Sequence, residues 1–302
     1  MSMRILLVSL AAAVLAPQDI QVRPRLVAGD TFRLEVTRVR EDSSRPQANY
    51  SGRTPIDVRV VSAGAEGFVL LWRPGATVLE GSAAAPDPAL SMAGRIIGNA
   101  EFRVVLTADG EYERLANQAE ITQKFEAARD AAIRLAGTGL SADDRKRMDD
   151  LMRQILSPAN LVAIATRDVQ SYVAMHGLAL AVGETLEFAI EQPSPFGGGV
   201  IPAVFRARME SATPDTATVT TTTTFDPEAL LKMTAAIAEQ AGAKPAAEEL
   251  AKFRLDISDD GTYVFDRKVG LMREVTINRR SSVGATTQLD RWVIRLVTAP
   301  TR

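Results

Sequence analysis

The feature of this chain that most constrains its fold is an internal repeat, in which landmarks recur in the same order about 150 residues apart. The matched segments are 29–36 with 183–190, 55–72 with 202–224, 87–90 with 226–230, and 102–112 with 253–263. Strand–turn–strand sequences resemble one another in general, which is the alternative explanation. The shared order favours a duplication, so the repeat predicts two related halves.

Each half has the pattern of strands interrupted by a helix. Phe32, Leu34 and Val36 alternate with polar residues, which is the period of a half-buried strand. Asp-Gly pairs at 109–110 and 260–261 stand between alternating apolar residues and predict tight hairpin turns. An Asp-Pro pair at 226–227 predicts a helix start, with aspartate as the cap and proline in the first turn. A weaker copy of this pair stands at 87–88.

The halves differ in how they end. Residues 117–168 have helical periodicity in three stretches, whereas residues 274–297 predict a closing hairpin with its turn at 281–287. The expected domain organisation is a first β-rich repeat over 20–116, a helical insert over 117–176 and a second β-rich repeat over 177–302. The predicted fold class is α+β and mainly antiparallel β, with curved sheet or sheets and helices packed on one face.

The N-terminus has the pattern of an export signal. Arg4 precedes an apolar run over residues 5–15, and Ala16 is a small residue suited to cleavage. The run is too short to span a bilayer, which takes about 20 apolar residues, and no later segment is long enough. Residues 1–16 are therefore predicted to be a signal peptide, which places the protein in the periplasm or outside the cell. An apolar N-terminal strand or anchor is the alternative.

Charge and cysteine content exclude several function classes. The formal net charge of −2 provides no basic surplus for a phosphate backbone, so nucleic acid is not an expected partner. The chain contains no cysteine, which rules out disulfides and thiolate chemistry.

The sequence contains no recognisable catalytic constellation. His176 is the only histidine, so a multi-histidine metal site cannot form, and no nearby nucleophile accompanies it. Residues 256–267 match a calcium loop in part, but Arg267 occupies the position where a bidentate glutamate is required. The protein is therefore predicted not to be an enzyme, without a cofactor or a metal. No ligand-binding residue is assigned.

Three further patterns have simpler structural interpretations. The glycines at 197–199 lack the ending of a phosphate loop, and the threonines at 220–224 are typical of a β-branched strand with a polar outer face. Glu35, Glu187 and Glu191 would be the acid and base of a glycosidase only at a suitable separation. At alternate strand positions, such residues normally form the solvated face of a sheet.

Several short motifs resemble those of exported bacterial proteins of unknown function whose fold is similar to that of lipoprotein carriers. The motifs are Gly29-Asp30, Gly183-Glu184, Gly110-Glu111-Tyr112, the segment 261–266 and the segment 292–296. This resemblance implies an open antiparallel half-barrel with helices on its concave side, and it assigns no site residues. The duplication and the long helical insert depart from a simple carrier.

The first functional hypothesis is a non-catalytic envelope protein that holds an apolar ligand, such as a lipid, between sheet and helices. Met148, Met152, Met175 and Met233 would then face either the ligand or the core. The alternative is a periplasmic interaction or scaffold module whose partner is another envelope protein. A hydrolase is a remote third hypothesis.

Overall fold

The computed structural model describes residues 19–80, 100–136, 141–155, 157–193, 200–240, 255–283 and 286–301. The strands are β1 (Ile20–Gln21), β2 (Thr31–Asp42), β3 (Tyr50–Gly64), β4 (Gly67–Pro74), β5 (Val78–Glu80), β6 (Phe102–Leu106), β7 (Tyr112–Leu115), β8 (Ala179–Leu180), β9 (Thr185–Pro193), β10 (Val200–Ala212), β11 (Thr216–Phe225), β12 (Leu255–Asp266), β13 (Leu271–Val283) and β14 (Thr286–Thr301). The described α-helices are α1 (Gln118–Ala136), α2 (Ala142–Ile155), α3 (Pro158–Val173) and α4 (Pro227–Gln240). A short 3-10 helix covers Pro46–Ala48.

A single 12-stranded antiparallel sheet contains all the strands except β1 and β8, which pair with each other. Its order is β7-β6-β4-β3-β2-β14-β13-β12-β11-β10-β9, with β5 added beside β3. Each half of the chain is a meander, and the pairing of β2 with β14 joins the two. The predicted fold class, mainly antiparallel β with helices on one face, is confirmed.

The sheet has one covered face, here called the inner face. In β2, Phe32, Leu34 and Val36 are buried, whereas Arg33 between them is exposed. The cross-strand register carries this alternation from strand to strand, so the apolar residues of the other strands line the same face. The opposite face carries mainly arginine, glutamate and threonine.

The space between α1, α3 and the sheet is filled by large side chains. Trp72, Phe102, Ile121 and Tyr172 are all almost completely buried, and the rings of Trp72 and Tyr172 lie 6.1 Å apart. Close packing of this kind is typical of a protein interior.

The helix α4 covers a second, smaller apolar cluster on the same face. Leu230 of this helix packs with Ile201, Ala203 and Phe225 from β10 and β11. The inner face is therefore covered in two separate areas, one by α1 and α3 and the other by α4.

Three of the described helices begin at a residue whose side chain caps the helix. Asp226 accepts a hydrogen bond from the Glu228 backbone at the start of α4, as predicted, and Ser157 accepts from the Asn160 backbone at the start of α3. The Asp144 backbone donates to the Ser141 hydroxyl at the start of α2, as in a capping box.

The two Gly-acid motifs form the same turn in both halves. Gly29 and Gly183 both have positive φ, at +97° and +86°. In the first half, Gly29 N donates to Val60 O, Val60 N donates to Asp30 O, and Val27 N donates to the Asp30 carboxylate. In the second half, the equivalent bonds run from Gly183 N to Met209 O, from Met209 N to Glu184 O, and from Ala181 N to the Glu184 carboxylate. The two motifs therefore have the same local backbone geometry.

The predicted hairpin turn at Asp260 and Gly261 is wrong. Asp109 and Gly110 do lie in a turn between β6 and β7, but Gly261 lies in the middle of β12 and pairs with Thr221 and Ile277. Because β12 has a strand on each side, its backbone groups are satisfied by ladder hydrogen bonds, and a turn there would leave both ladders incomplete.

The segment 20–27 runs across the end of the molecule as a strap that contacts both halves. Its alternate residues Ile20, Val22 and Leu26 are buried. Gly110 lies against Pro24 of the strap, and Gly270 lies against the backbone of Arg23 and Arg25. The strap thus ties the β6–β7 turn of the first half to the β12–β13 turn of the second.

We expect the substitution Tyr172→Phe to lower the free energy of unfolding by about 1–2 kcal/mol. The Tyr172 hydroxyl donates to the Met272 carbonyl at 2.9 Å in a fully buried setting, so its loss removes a bond that water cannot replace. Chemical denaturation would measure the change, with the half-buried Tyr50→Phe as the control. Equal stability of Tyr172→Phe and the native protein would contradict the prediction.

Some predictions concern segments that lie outside the described residues. These are the signal peptide at 1–16, the Asp-Pro pair at 87–88 and the glycines at 197–199. Among the described helices, none combines the length and the apolar character needed to cross a bilayer.

Candidate functional site

A row of charged side chains crosses the inner face between the two covered areas. The register places Thr223, Asp259, Arg279, Asp290, Arg40 and Tyr50 side by side on β11, β12, β13, β14, β2 and β3. This set is here called the inner charged row. The next row towards the main core contains Ile277, Trp292 and Arg38 on β13, β14 and β2.

The period of the strands puts these charges on the inner face. In β2, Arg38 and Arg40 continue the even-numbered positions of Leu34 and Val36, so they point to the same side as the core. In β14, Asp290 likewise continues the parity of Ile294.

Charges of opposite sign alternate along the inner charged row and pair across strands. Arg279 donates from Nε and Nη2 to both carboxylate oxygens of Asp259, at 2.7 and 2.6 Å. Arg40 Nε donates to Asp290 Oδ1 at 2.6 Å. Paired donors of this kind hold carboxylates in a fixed geometry.

The helix α3 adds two more charged groups above the row. Asp168 accepts from Arg38 Nη2 at 2.7 Å to each of its two oxygens. Arg167, its neighbour in α3, lies over the ring of Trp292, with 5.7 Å between the guanidinium carbon and the ring centroid.

Aromatic rings contact the guanidinium groups of this site. Arg279 also lies near the Trp292 ring at 6.0 Å, so the indole is contacted by two guanidinium groups. Arg40 lies 5.8 Å from the centroid of Tyr50. Cation–π contacts at these distances favour a fixed position of each guanidinium.

The pKa values of the arginines show which charges are compensated. Burial alone would lower the pKa of Arg279, but the hydrogen bonds and charge of Asp259 outweigh it and raise that pKa. Burial lowers the pKa of Arg167, and the positive charges of Arg279 and Arg38 lower it further. The Arg167 side chain is nevertheless exposed to solvent. It therefore remains charged, but in a place where positive charge is unfavourable.

A small cavity of about 70 Å³ adjoins these groups. Its lining comprises Arg38, Val39, Arg40, Tyr50, Arg167, Asp290, Arg291 and Trp292. The Nε of Arg38 is buried and has no hydrogen-bond acceptor among the described residues.

A larger groove of about 450 Å³ lies on the opposite face of the sheet. Arg33, Arg59 and Arg73 line it together with Asp57, and these side chains are exposed. Arg33 and Asp57 form an ion pair there in which both side chains are more than half exposed, so solvent and salt screen the charges of this groove strongly.

The one histidine lies far from any catalytic arrangement. His176 is buried, its ring packs edge-on against Phe265 at 6.1 Å, and neither ring nitrogen has a hydrogen-bond partner among the described residues. Nothing in the geometry of the described residues indicates catalysis.

The three glutamates lie on the outer face and are too far apart to act as an acid–base pair. Glu35 on β2 and Glu187 on β9 are separated by six strand spacings, roughly 29 Å along the sheet. Glu191 is four residues from Glu187 on one strand, roughly 13 Å away. Glycosidases need about 5–10 Å.

The remaining sequence candidates are structural. Thr221 and Thr223 are buried on the inner face, whereas Thr222 and Thr224 are exposed on the outer face, as expected for a half-buried strand. Residues 256–260 belong to β12, where a calcium loop cannot form. Of the four methionines, Met175 is buried in the core and Met233 packs against the α4 cluster. The side chains of Met148 and Met152 lie outside the described set.

Sequence reasoning missed the inner charged row and its arginine neighbours. The sequence does contain a signal for part of it. Arg38 and Arg40 continue the alternation of Phe32, Leu34 and Val36, so they can be predicted to lie on the same face of the strand. The contribution of Arg167 and Asp168 from α3 has no comparable signal, since the docking position of a helix on a sheet is not encoded locally.

Comparisons with known proteins provide little further information. No protein-family model and no curated protein matches the chain. A solved structure on lipid–protein interactions in lipovitellin is similar over 91% of this chain and 26% of that one, with 8% identity and a TM-score of 0.41. This chain thus spans about a quarter of that protein's length. The result is a weak resemblance of fold to that β-sheet protein, on which no argument about function is built.

Proposed function

We propose that the protein is an exported, non-catalytic envelope protein that binds an apolar ligand, such as a lipid acyl chain, on the inner face of its sheet. Export is proposed from the signal-like residues 1–16. The observation that supports ligand binding is an aromatic pair, Phe188 and Phe205, left partly uncovered on the inner face.

The aromatic pair occupies the strip between the main core and the α4 cluster. Phe188 on β9 and Phe205 on β10 are register partners, and their rings stack with centroids 5.4 Å apart. Phe188 points to the covered side of the sheet, yet 41% of its surface is exposed. Leu186 and Ile190 flank it on the same face of β9 and are half-buried. An inward-facing apolar strip that the helices do not cover is a typical ligand surface.

The ligand would therefore lie in an open strip, because the space beneath α1 and α3 is already filled. Trp72, Phe102 and Tyr172 occupy that space at interior density. This site differs from the one that the sequence suggested, in which the ligand was enclosed between sheet and helices.

We expect the purified full chain to bind the neutral dye Nile red saturably, and the substitution Phe188→Ser to weaken binding about fivefold. Covering the exposed part of a phenylalanine contributes roughly 1 kcal/mol, which corresponds to that factor. Val61→Ser is the matched control, since Val61 is 50% exposed but lies at a bulge of β3, away from the strip. Fluorescence titration measures the dissociation constants.

Two results would contradict the proposal. One is absence of saturable binding together with a lipid-free solvent extract by mass spectrometry. The other is an equal effect of Phe188→Ser and Val61→Ser.

A second candidate function, a protein-interaction module, is favoured by the edge strand β9. Among the described residues, β9 has a partner on one side only, so its nine residues present unpaired backbone groups to an extended peptide. Under this function, a stoichiometric complex with an envelope protein is lost in Ala189→Pro. Nile red binding then shows no dependence on Phe188.

A further inference from the structure

We propose that Arg38, Arg167 and Arg279, arranged around Trp292, form a binding site for a phosphate-type oxyanion. This goes beyond the proposed function, since it requires no apolar ligand.

The first argument is the charge balance of the site. Its inner-face side chains include four arginines and three aspartates, and each of these aspartates is bound by one arginine: Asp168 by Arg38, Asp259 by Arg279 and Asp290 by Arg40. Arg167 is the fourth arginine, and the described part of the chain offers it no carboxylate within ion-pair distance. One positive charge is thus left over in a crowded site.

The position of this uncompensated charge is unfavourable without a ligand. Burial and the neighbouring Arg279 and Arg38 lower the pKa of Arg167, and the negative charges of Asp168 and Asp290 offset this only in part, so these surroundings disfavour its charged form. A bound anion would reverse this, because it would interact with all three guanidinium groups at once.

The second argument is the set of unused donors. Arg38 binds Asp168 through Nη2 alone, and its Nε is buried without an acceptor among the described residues. Arg279 uses Nε and Nη2 for Asp259, which leaves Nη1. Guanidinium groups with free N–H donors match the oxygens of phosphate in geometry as well as in charge.

The third argument is the space beside Arg38 and Arg167. The adjoining cavity of about 70 Å³ is lined by Arg38, Arg167 and Trp292. A water molecule takes up about 30 Å³, so the space suits a small polar group. Asp290 also lines it, but Arg40 and Gln288 each donate to its carboxylate at 2.6 Å, which reduces its repulsion of an anion.

Calorimetric titration of the full chain with inorganic phosphate at low ionic strength tests the site. A parallel titration uses dihexanoyl phosphatidic acid below its micelle concentration, with uncharged dihexanoylglycerol as its control. If the phosphatidic acid binds at least tenfold tighter than inorganic phosphate, the natural source is a lipid headgroup. If the difference is smaller, the source is the free ion.

The decisive variant is Arg167→Gln, and Arg59→Gln is its matched control. Arg59 is an exposed arginine of the outer groove with no ion pair among the described residues, so both variants remove one positive charge. We expect Arg167→Gln to raise the dissociation constant at least tenfold and Arg59→Gln to change it less than twofold. Without phosphate, Arg167→Gln should melt no lower than the native protein, because it removes repulsion.

The site is refuted if neither phosphate compound binds saturably, or if the two variants weaken binding equally. It is also refuted if Arg167→Gln lowers the melting temperature and phosphate does not raise that of the native protein. Failure of the anion site leaves Nile red binding and its dependence on Phe188 untouched, so the two proposals fail separately.

Discussion

Replacing Gly270 with alanine is expected to destabilise the protein by about 4 kcal/mol, a large share of the stability of an ordinary domain. Gly270 has a φ of +72°, in the left-handed region that residues with a Cβ rarely adopt. An added Cβ would lie 2.4 Å from the backbone nitrogen of Arg25 and 2.8 Å from the carbonyl oxygen of Arg23. Backbone atoms cannot rotate away, so the strap formed by residues 20–27 would have to move.

Gly183→Ala separates the two contributions to this effect. Gly183 has a similar φ of +86°, but no atom lies within 4 Å of an added Cβ. Its substitution should therefore cost only the backbone strain, about 1–2 kcal/mol. Chemical denaturation of both variants provides the measurement. Equal losses in the two variants would mean that the strap does not constrain Gly270.

Lowering the pH from 6.5 to 4 is expected to reduce the free energy of unfolding by about 3 kcal/mol through His176 alone. Burial lowers the pKa of His176 to about 4, and the nearby carbonyls of Val173 and Gly270 oppose this only in part. Neither carbonyl reaches hydrogen-bond geometry, so the charged ring would lack a partner in the folded protein.

Stability falls with falling pH because the unfolded chain binds the proton more readily than the folded protein. The unfolded chain protonates His176 near its ordinary pKa of about 6.5, whereas the folded protein keeps the ring neutral down to about pH 4. The stability contribution is thus complete above pH 6.5 and decreases as the pH falls to 4. Below pH 4 both states carry the proton and the contribution stays lost.

Denaturation of His176→Leu at pH 7 and at pH 4.5 tests this expectation. At pH 7 the variant should be about as stable as the native protein, within about 1 kcal/mol, because an apolar side chain of similar size replaces an imidazole without hydrogen bonds. Its stability should change little over this interval. Asp42 titrates below this interval in the folded protein, since hydrogen bonds from Ser44 lower its pKa to about 2. The same pH slope in the variant and the native protein would exclude His176 as its cause.

Local patterns in the sequence predicted the secondary structure where it depends on a few neighbouring residues. Asp226 caps a helix as expected, and the alternation in β2 gives the burial pattern found there. The Asp-Gly pairs show the limit of such patterns. The same dipeptide makes a turn at Gly110, at one edge of the sheet, and lies inside a strand at Gly261, where neighbours on both sides extend the ladder.

The candidate site could be predicted only in part. The parity of β2 turns Arg38 and Arg40 inward, and that information is local. Arg279, Asp290 and Trp292 are far from them in the chain and become their neighbours through the pairing of β14 with β2 and β13. The uncompensated charge of Arg167 depends on where α3 docks.

The sequence by itself determined that this chain forms mainly antiparallel β-structure with helices on one face, because side-chain periodicity and capping act over a few residues. Only the tertiary structure decided that the repeated segments form one 12-stranded sheet, with β2 paired to β14. It also decided that the space beneath α1 and α3 is filled and that Arg38, Arg167 and Arg279 meet around Trp292. The pairing of β2 with β14 and the docking of α3 depend on contacts between residues a hundred or more positions apart, and the energies of such contacts are not encoded in any local pattern.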